Sequence, residues 1–168
     1  MHKIDENIEK NIIDELNERG WEEVLDSFSQ TKSLLPYAFL WSTSDYFAPN
    51  GNDTGFDTLA SFREWNTQNL HLSPLNFLRD LLESWEINIE EPYDEDYDSY
   101  CSMTYYQSVV GLAIAVVKIR GKFDKKLSTM AIEAINKYLN EIEVETKWVH
   151  LKECQEKALL IQGIFEKI

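Results

Sequence analysis

The 168-residue chain predicts a mainly α-helical, single bundle-like domain, and three observations carry that expectation. Apolar residues recur at spacings of three and four through most of the sequence, helix start and stop residues bracket those runs, and no internal repeat or low-complexity linker divides them. With 43% hydrophobic and 12% aromatic residues there is apolar surface enough for one buried core, which excludes the disordered and fibrous classes.

The elements follow in order. Ile4, Ile8, Ile12 and Leu16 repeat every fourth residue, with Asp5 and Glu6 in the first turn, Arg19 in the last and Gly20 as the stop. Trp21, Val24, Leu25 and Phe28 share a face of a short second helix. Between Thr31 and Trp41 the apolar residues fit any geometry, and Pro36 restricts a helix there to its first turn. Residues 42–56 concentrate Pro49, Asn50, Gly51, Asn52 and Gly55 and read as a long surface loop. A helix from about Asp57 to Asn69 follows, and then a clear start signal: Ser73 as N-cap, Pro74 at the first helical position, and Leu75, Leu78, Leu81, Leu82 and Trp85 on one stripe.

An acidic connector spans about 88–98, where Pro92 breaks any helix and six of the nine residues from Glu90 to Asp98 are carboxylates. From Ser99 to Arg120 the chain is tyrosine-rich and then apolar on all sides, the pattern of a helix enclosed by its neighbours, closed by Gly121. Its most apolar run, Val109 to Val117, ends at Lys118 and is too short to span a bilayer. Leu127, Met130, Ala131, Ala134, Ile135, Tyr138, Leu139 and Ile142 predict an amphipathic helix; Leu151, Cys154, Ala158, Ile161, Phe165 and Ile168 predict the last one. Between these two, Ile142, Val144, Thr146 and Trp148 alternate with charged residues. A helix or helix break is the preferred reading at 142–148, with one short strand as the alternative.

Reaction chemistry leaves little trace. The six glycines form neither a dinucleotide fingerprint nor a nucleophile elbow, and no HExxH or paired CxxC occurs. Cys101 and Cys154 read as reduced core thiols. His150 and Cys154 lie four apart beside Glu153, but a closed metal site needs four ligands, so packing is the expected role. His71 precedes a helix start and reads as a loop residue. Asp53-Thr54-Gly55 spells the tripeptide that holds the catalytic carboxylate of aspartic proteases, yet in a polar segment of a helical chain it reads as a turn. Asp94, Asp96 and Asp98 match the first ligand positions of an EF-hand loop, whereas Ser99 and Tyr105 stand where that loop needs glycine and glutamate. No catalytic residue, metal or cofactor is expected.

Charge is the informative quantity. The net charge of −14 repels nucleic-acid phosphates and anionic membranes, so neither is an expected direct partner. Residues 1–100 hold 22 acids and 6 bases, net −16, while residues 101–168 hold 8 and 10, net +2. Such a one-signed region attracts a basic protein and speeds its encounter. The candidate partner-binding residues are Trp85, Glu90, Glu91, Tyr93, Asp94, Glu95, Asp96, Tyr97, Asp98 and Tyr100, with a second patch at Asp45, Tyr46, Asp53 and Asp57 around Phe47. The first residues lack the apolar core of a signal peptide, which points to the cytoplasm.

In size, acidity and its lack of catalytic motifs the whole chain resembles the immunity proteins of bacteria, which neutralise toxins, often basic nucleases, by covering a positively charged active site. The resemblance implies a direct-binding inhibitor of a basic toxin and not an enzyme. Two other classes stay open: an acidic decoy that mimics nucleic acid, and a small carboxylate- or metal-dependent enzyme. The oligomeric state is not legible.

Overall fold

A computed structural model describes residues 4–18, 28–96 and 98–168. Helix α1, Glu6–Glu18, is started by Asp5, whose Oδ1 accepts the Ile8 N–H at 2.9 Å, and it buries Ile12 and Leu16. The expected stop at Gly20 and most of the expected helix over 21–28 lie outside the described residues. A helical turn over 28–31 is followed by Pro36 and a short 3₁₀ helix, Ala38–Trp41, whose Phe39, Leu40 and Trp41 are buried. Next come α2, Asp53–Gln68, and α3, Pro74–Ser84, the latter with the expected Ser73 cap and Pro74 start. The chain ends in α4, Ser99–Arg120, α5, Lys125–Ile142, and α6, Leu151–Phe165.

Helix α4 is the axis of the molecule. It packs against α2 and α3 on one side and α5 on the other, and α6 covers α5. Every residue from Ser108 to Lys118 is buried, as its all-round apolar pattern predicts. Asp98 caps the start of α4, and Gly121, at φ 70°, takes the left-handed conformation that ends it. The helix is long and apolar enough to cross a membrane, contrary to the expectation from its nine-residue apolar run, but 72% of its most apolar window is buried inside the protein, as in a core helix.

The segment 42–56 corrects the expectation of a surface loop. Its last residues, from Asp53, already belong to α2, and Ala48, Pro49, Asn50 and Asn52 are buried. Asp53-Thr54-Gly55 is accordingly the first turn of a helix: Asn52 Oδ1 accepts the Gly55 N–H at 2.8 Å and replaces the missing intrahelical partner. Polar turn-forming residues suggest exposure by composition alone. Here they allow backbones to touch. A Cβ on Gly55 would lie 1.9 Å from the Pro49 oxygen, so the turn before α2 requires glycine there, and one on Gly111 would lie 3.0 Å from the same oxygen and 3.1 Å from the Gly55 Cα, so α4 packs tightly on this turn and on the start of α2.

Asn50 locks that crossing. Its Nδ2 donates to the carbonyl oxygens of Gly55 and Gly111, each at 3.0 Å, while its Oδ1 accepts from Lys118 Nζ at 3.0 Å. Lys118 also stands over the Trp41 ring, 5.3 Å from its centroid, and Trp41 Nε1 donates to the Leu35 oxygen at 3.1 Å. Burial pulls the Lys118 amine down to about 7, with the nearby Glu15 carboxylate acting in the opposite direction. Arg120 performs a related task two residues later. Its guanidinium reaches Asn66 Oδ1 at 2.7 Å and the Leu72 and Asn69 oxygens at 2.9 and 3.2 Å, fastening the α2–α3 turn to the end of α4.

Residues 143–150 form turns between α5 and α6. The alternation from Ile142 to Trp148 does not make a strand, and α5 and α6 on either side of these turns pack on each other.

Replacing Asn50 by Ala removes an oxygen that accepts from the buried Lys118 amine and the second donor of two helix carbonyls, so a loss of about 2 kcal/mol in unfolding free energy is expected by urea denaturation. The lowered amine also sets a pH dependence. Between about 7 and the unfolded lysine value of 10.5, the unfolded chain binds a proton that the folded chain lacks, so stability rises with pH across that window. Lys118→Met is expected to abolish this rise in denaturation curves measured from pH 7 to 9.5.

Candidate functional site

Consecutive helices joined by short connections pack antiparallel, so the start of α4, the end of α5 and the start of α6 share one end of the bundle. Both sequence-predicted patches must be placed against that end.

The acidic connector leads straight into it. Glu86, at φ 60°, turns the chain out of α3 just after Trp85, which ends that helix and is 36% exposed. Glu90 makes a loose surface ion pair with Arg79 at 3.7 Å. Glu91, Asp94, Glu95 and Asp96 are exposed, with Asp94 Oδ1 accepting the Asp96 N–H at 2.9 Å. Tyr93 anchors the segment: its ring meets Tyr105 edge-on at 5.3 Å and lies under Lys137 Nζ at 5.4 Å. Burial, then the carboxylates of Glu141 and Glu133 on α5, push the Tyr93 hydroxyl up to about 12. The acidic strip thus continues onto the exposed face of α5. Tyr97 lies outside the described residues. Asp98 is exposed and also has a structural role. Its Oδ1 accepts the Cys101 N–H at 2.9 Å, which holds the carboxyl below its usual range and makes it a helix cap. Tyr100, in the first turn of α4, is 74% exposed.

The second patch joins a cluster that periodicity did not reveal. Phe47 is its centre, with Tyr46 at 5.6 Å, Trp148 at 5.7 Å and His150 at 6.1 Å between ring centroids. Beneath it, Tyr106 stacks on Tyr138 at 4.1 Å, and the Tyr138 hydroxyl meets Cys154 Sγ at 3.2 Å. These residues with Met103 border a cavity of about 20 Å³, room for roughly one water. Burial pushes the Cys154 thiol up, which disfavours its thiolate form. Among the described residues no group of three His, Cys, Asp or Glu could hold a metal ion.

Lys157 on α6 ties this patch to the bundle. It is 7% exposed and donates to Asp45 Oδ2 and Glu153 Oε1, both at 2.6 Å, with its ammonium over the rings of Phe39 and Phe47. Burial would pull the amine down, but the two carboxylates outweigh it and hold the amine above its ordinary value. Asp45 is thereby a structural anion, half withdrawn from any partner. Tyr46 is 57% exposed, whereas Asp53 and Asp57 stand on exposed positions of α2 and belong to that helix, not to a loop.

Two further apolar side chains complete this end, Val144 at 76% and Val149 at 88% exposure, both on the α5–α6 connection. Sequence reasoning missed them, together with Trp148 and His150, because their significance lies in neighbours 100 residues away. The one available signal was the run of apolar residues in a segment that could not be assigned to a helix.

Two substitutions separate structural from interfacial carboxylates. Asp98→Ala is expected to lower the unfolding temperature through the lost cap, with Asp94→Ala near neutral. Lys157→Met is expected to cost about 2 kcal/mol, a value discounted because Glu153 is half exposed. Thermal unfolding of the purified variants checks both.

Comparison with known proteins adds no identity to this geometry: no family model matches the chain, and neither a curated protein nor a solved structure is similar to it.

Proposed function

We propose that this protein binds and inhibits a basic protein partner, in the manner of a bacterial, cytoplasmic immunity protein that neutralises a cognate toxin. One observation carries the reading. The exposed carboxylates of the connector and the exposed apolar side chains Tyr46, Tyr100, Val144 and Val149 gather at the same end of the bundle. An apolar centre beside a one-signed charged strip is the composition of a specific interface with electrostatic steering.

The connector has a shape suited to this role. Glu90, Glu91, Tyr93, Asp94 and Glu95 line an open groove of about 470 Å³, into which a protruding lysine or arginine of the partner fits between carboxylates and the Tyr93 ring. Lys137 already occupies one position over that ring, and its own pairing with Glu141 at 3.5 Å is a surface contact of small energy. The excess of negative charge in residues 1–100 extends the attraction over a Debye length, about 8 Å at physiological salt.

A tagged pull-down from the host, eluted by a salt gradient, is expected to yield one stoichiometric basic protein that is toxic when expressed alone. Against that partner, the triple change Asp94→Asn, Glu95→Gln, Asp96→Asn is expected to weaken binding about tenfold and flatten its salt dependence. Val149→Asp is expected to weaken it with the salt dependence retained. Unchanged affinity in both variants would remove this end of the molecule from the interface, and recovery of no specific basic protein would remove the immunity reading itself.

A further inference from the structure

The opposite end of the bundle, one length of α4 or about 33 Å away, has different chemistry. There Leu34, Pro36, Phe123, Ile164 and Ile168 line a groove of about 320 Å³, with the Ser33 hydroxyl and the Lys167 ammonium as its polar groups. Three segments build it: the residues before the 3₁₀ helix, the α4–α5 turn and the last turn of α6. Its walls are fixed. Phe123 stands edge-on to buried Phe165 at 6.2 Å, Leu34 donates its N–H to the Thr31 oxygen at 2.9 Å, and both side chains pack against the main core.

Lys167 lines the groove, and the sequence around Phe123 is cationic in a chain whose net charge is −14. Lys122, Lys125 and Lys126 are exposed beside Phe123, and no ion pair engages these three or Lys167 among the described residues. Asp124, the carboxylate between them, is committed to capping α5 through the Leu127 N–H at 3.0 Å. An apolar trough with a few polar groups at its mouth is the usual make-up of a small-molecule site, and its size is at the lower end of that class.

We propose that this groove binds an amphiphile with an anionic head and an aliphatic tail, the class of the medium-chain carboxylates. At about 30 Å³ per water-sized group, the volume holds a tail of roughly ten carbons. The tail lies against Leu34, Phe123 and Ile164, and the carboxylate meets Lys167 and the Ser33 hydroxyl, with the neighbouring lysines supplying the local positive potential. This site is independent of the acidic end and of any toxin.

Decanoate, 1-decanol and decyltrimethylammonium, each below its micellar concentration, test the proposal by titration into the full chain with methyl NMR. Saturable decanoate binding is expected to shift the methyl signals of Leu34, Ile164 and Ile168, with decanoate preferred about fivefold over the cationic amphiphile. Lys167→Glu is expected to reverse that preference, and Leu34→Asp to abolish decanoate binding while far-UV circular dichroism stays unchanged. Should Leu34→Asp fail to fold, Ser33→Trp, which fills the mouth, is expected to have the same effect. Absence of saturable decanoate binding, equal affinity for the three head groups, or shifts confined to the Phe47–Trp148 cluster would each overturn the proposal.

Discussion

Asn50 joins three parts of the chain through one side-chain amide. It donates to the carbonyls of Gly55 and Gly111 where α2 crosses α4, and its oxygen accepts from the buried Lys118 amine. The surrounding contacts depend on that closure. The Gly111 backbone packs closely against Pro49 and Gly55, and the buried Asn50 amide finds its partners in the protein. A lysine in the middle of a core is otherwise a strongly unfavourable group. Here it is tolerated because Asn50, the Trp41 face and the charge of Glu15 each act on it. The same device recurs at the molecule's edge, where Lys157 bridges Asp45 and Glu153 and fixes the aromatic patch to α6.

These two lysines divide the polar residues of the protein by role. Where a charge is buried it belongs to the architecture, as with Lys118, Lys157 and Asp45, and its neighbours are specific. Where charges are exposed and of one sign, as from Glu90 to Asp96, their neighbours are loose or absent and the energy is available to an outside partner. Asp98 shows why sequence cannot draw this line: it is one carboxylate in a run of similar ones, and only its hydrogen bond to Cys101 marks it as a cap. The antiparallel order of α4, α5 and α6 then sends the acidic connector to one end and the lysine-rimmed groove to the other.

Most helices were legible because burial imposes a period on the sequence. The α4 boundaries follow from Asp98, Gly121 and the all-round apolar pattern between them, and α3 follows from Ser73 and Pro74. The segment 42–56 was not legible. Pro, Asn and Gly report that the backbone departs from regular structure, but they say nothing about whether the departure faces water or another helix. At 142–148 the alternation is one of residue type alone, since Ile142 is buried and Trp148 half-buried while Val144 stands 76% exposed in a turn.

The sequence by itself determined that the chain is helical, that Ser99–Arg120 lies at its centre and that its charge is concentrated before residue 100. Local propensity, capping chemistry and composition suffice for those, because each is a property of residues near one another. Tertiary structure alone decided which polar residues are buried, that Phe47, Trp148 and His150 meet, and that Leu34, Phe123 and Ile164 share a groove. Those facts depend on contacts between segments up to about 130 residues apart, and the sequence pattern within each segment carries no record of the partner it will meet.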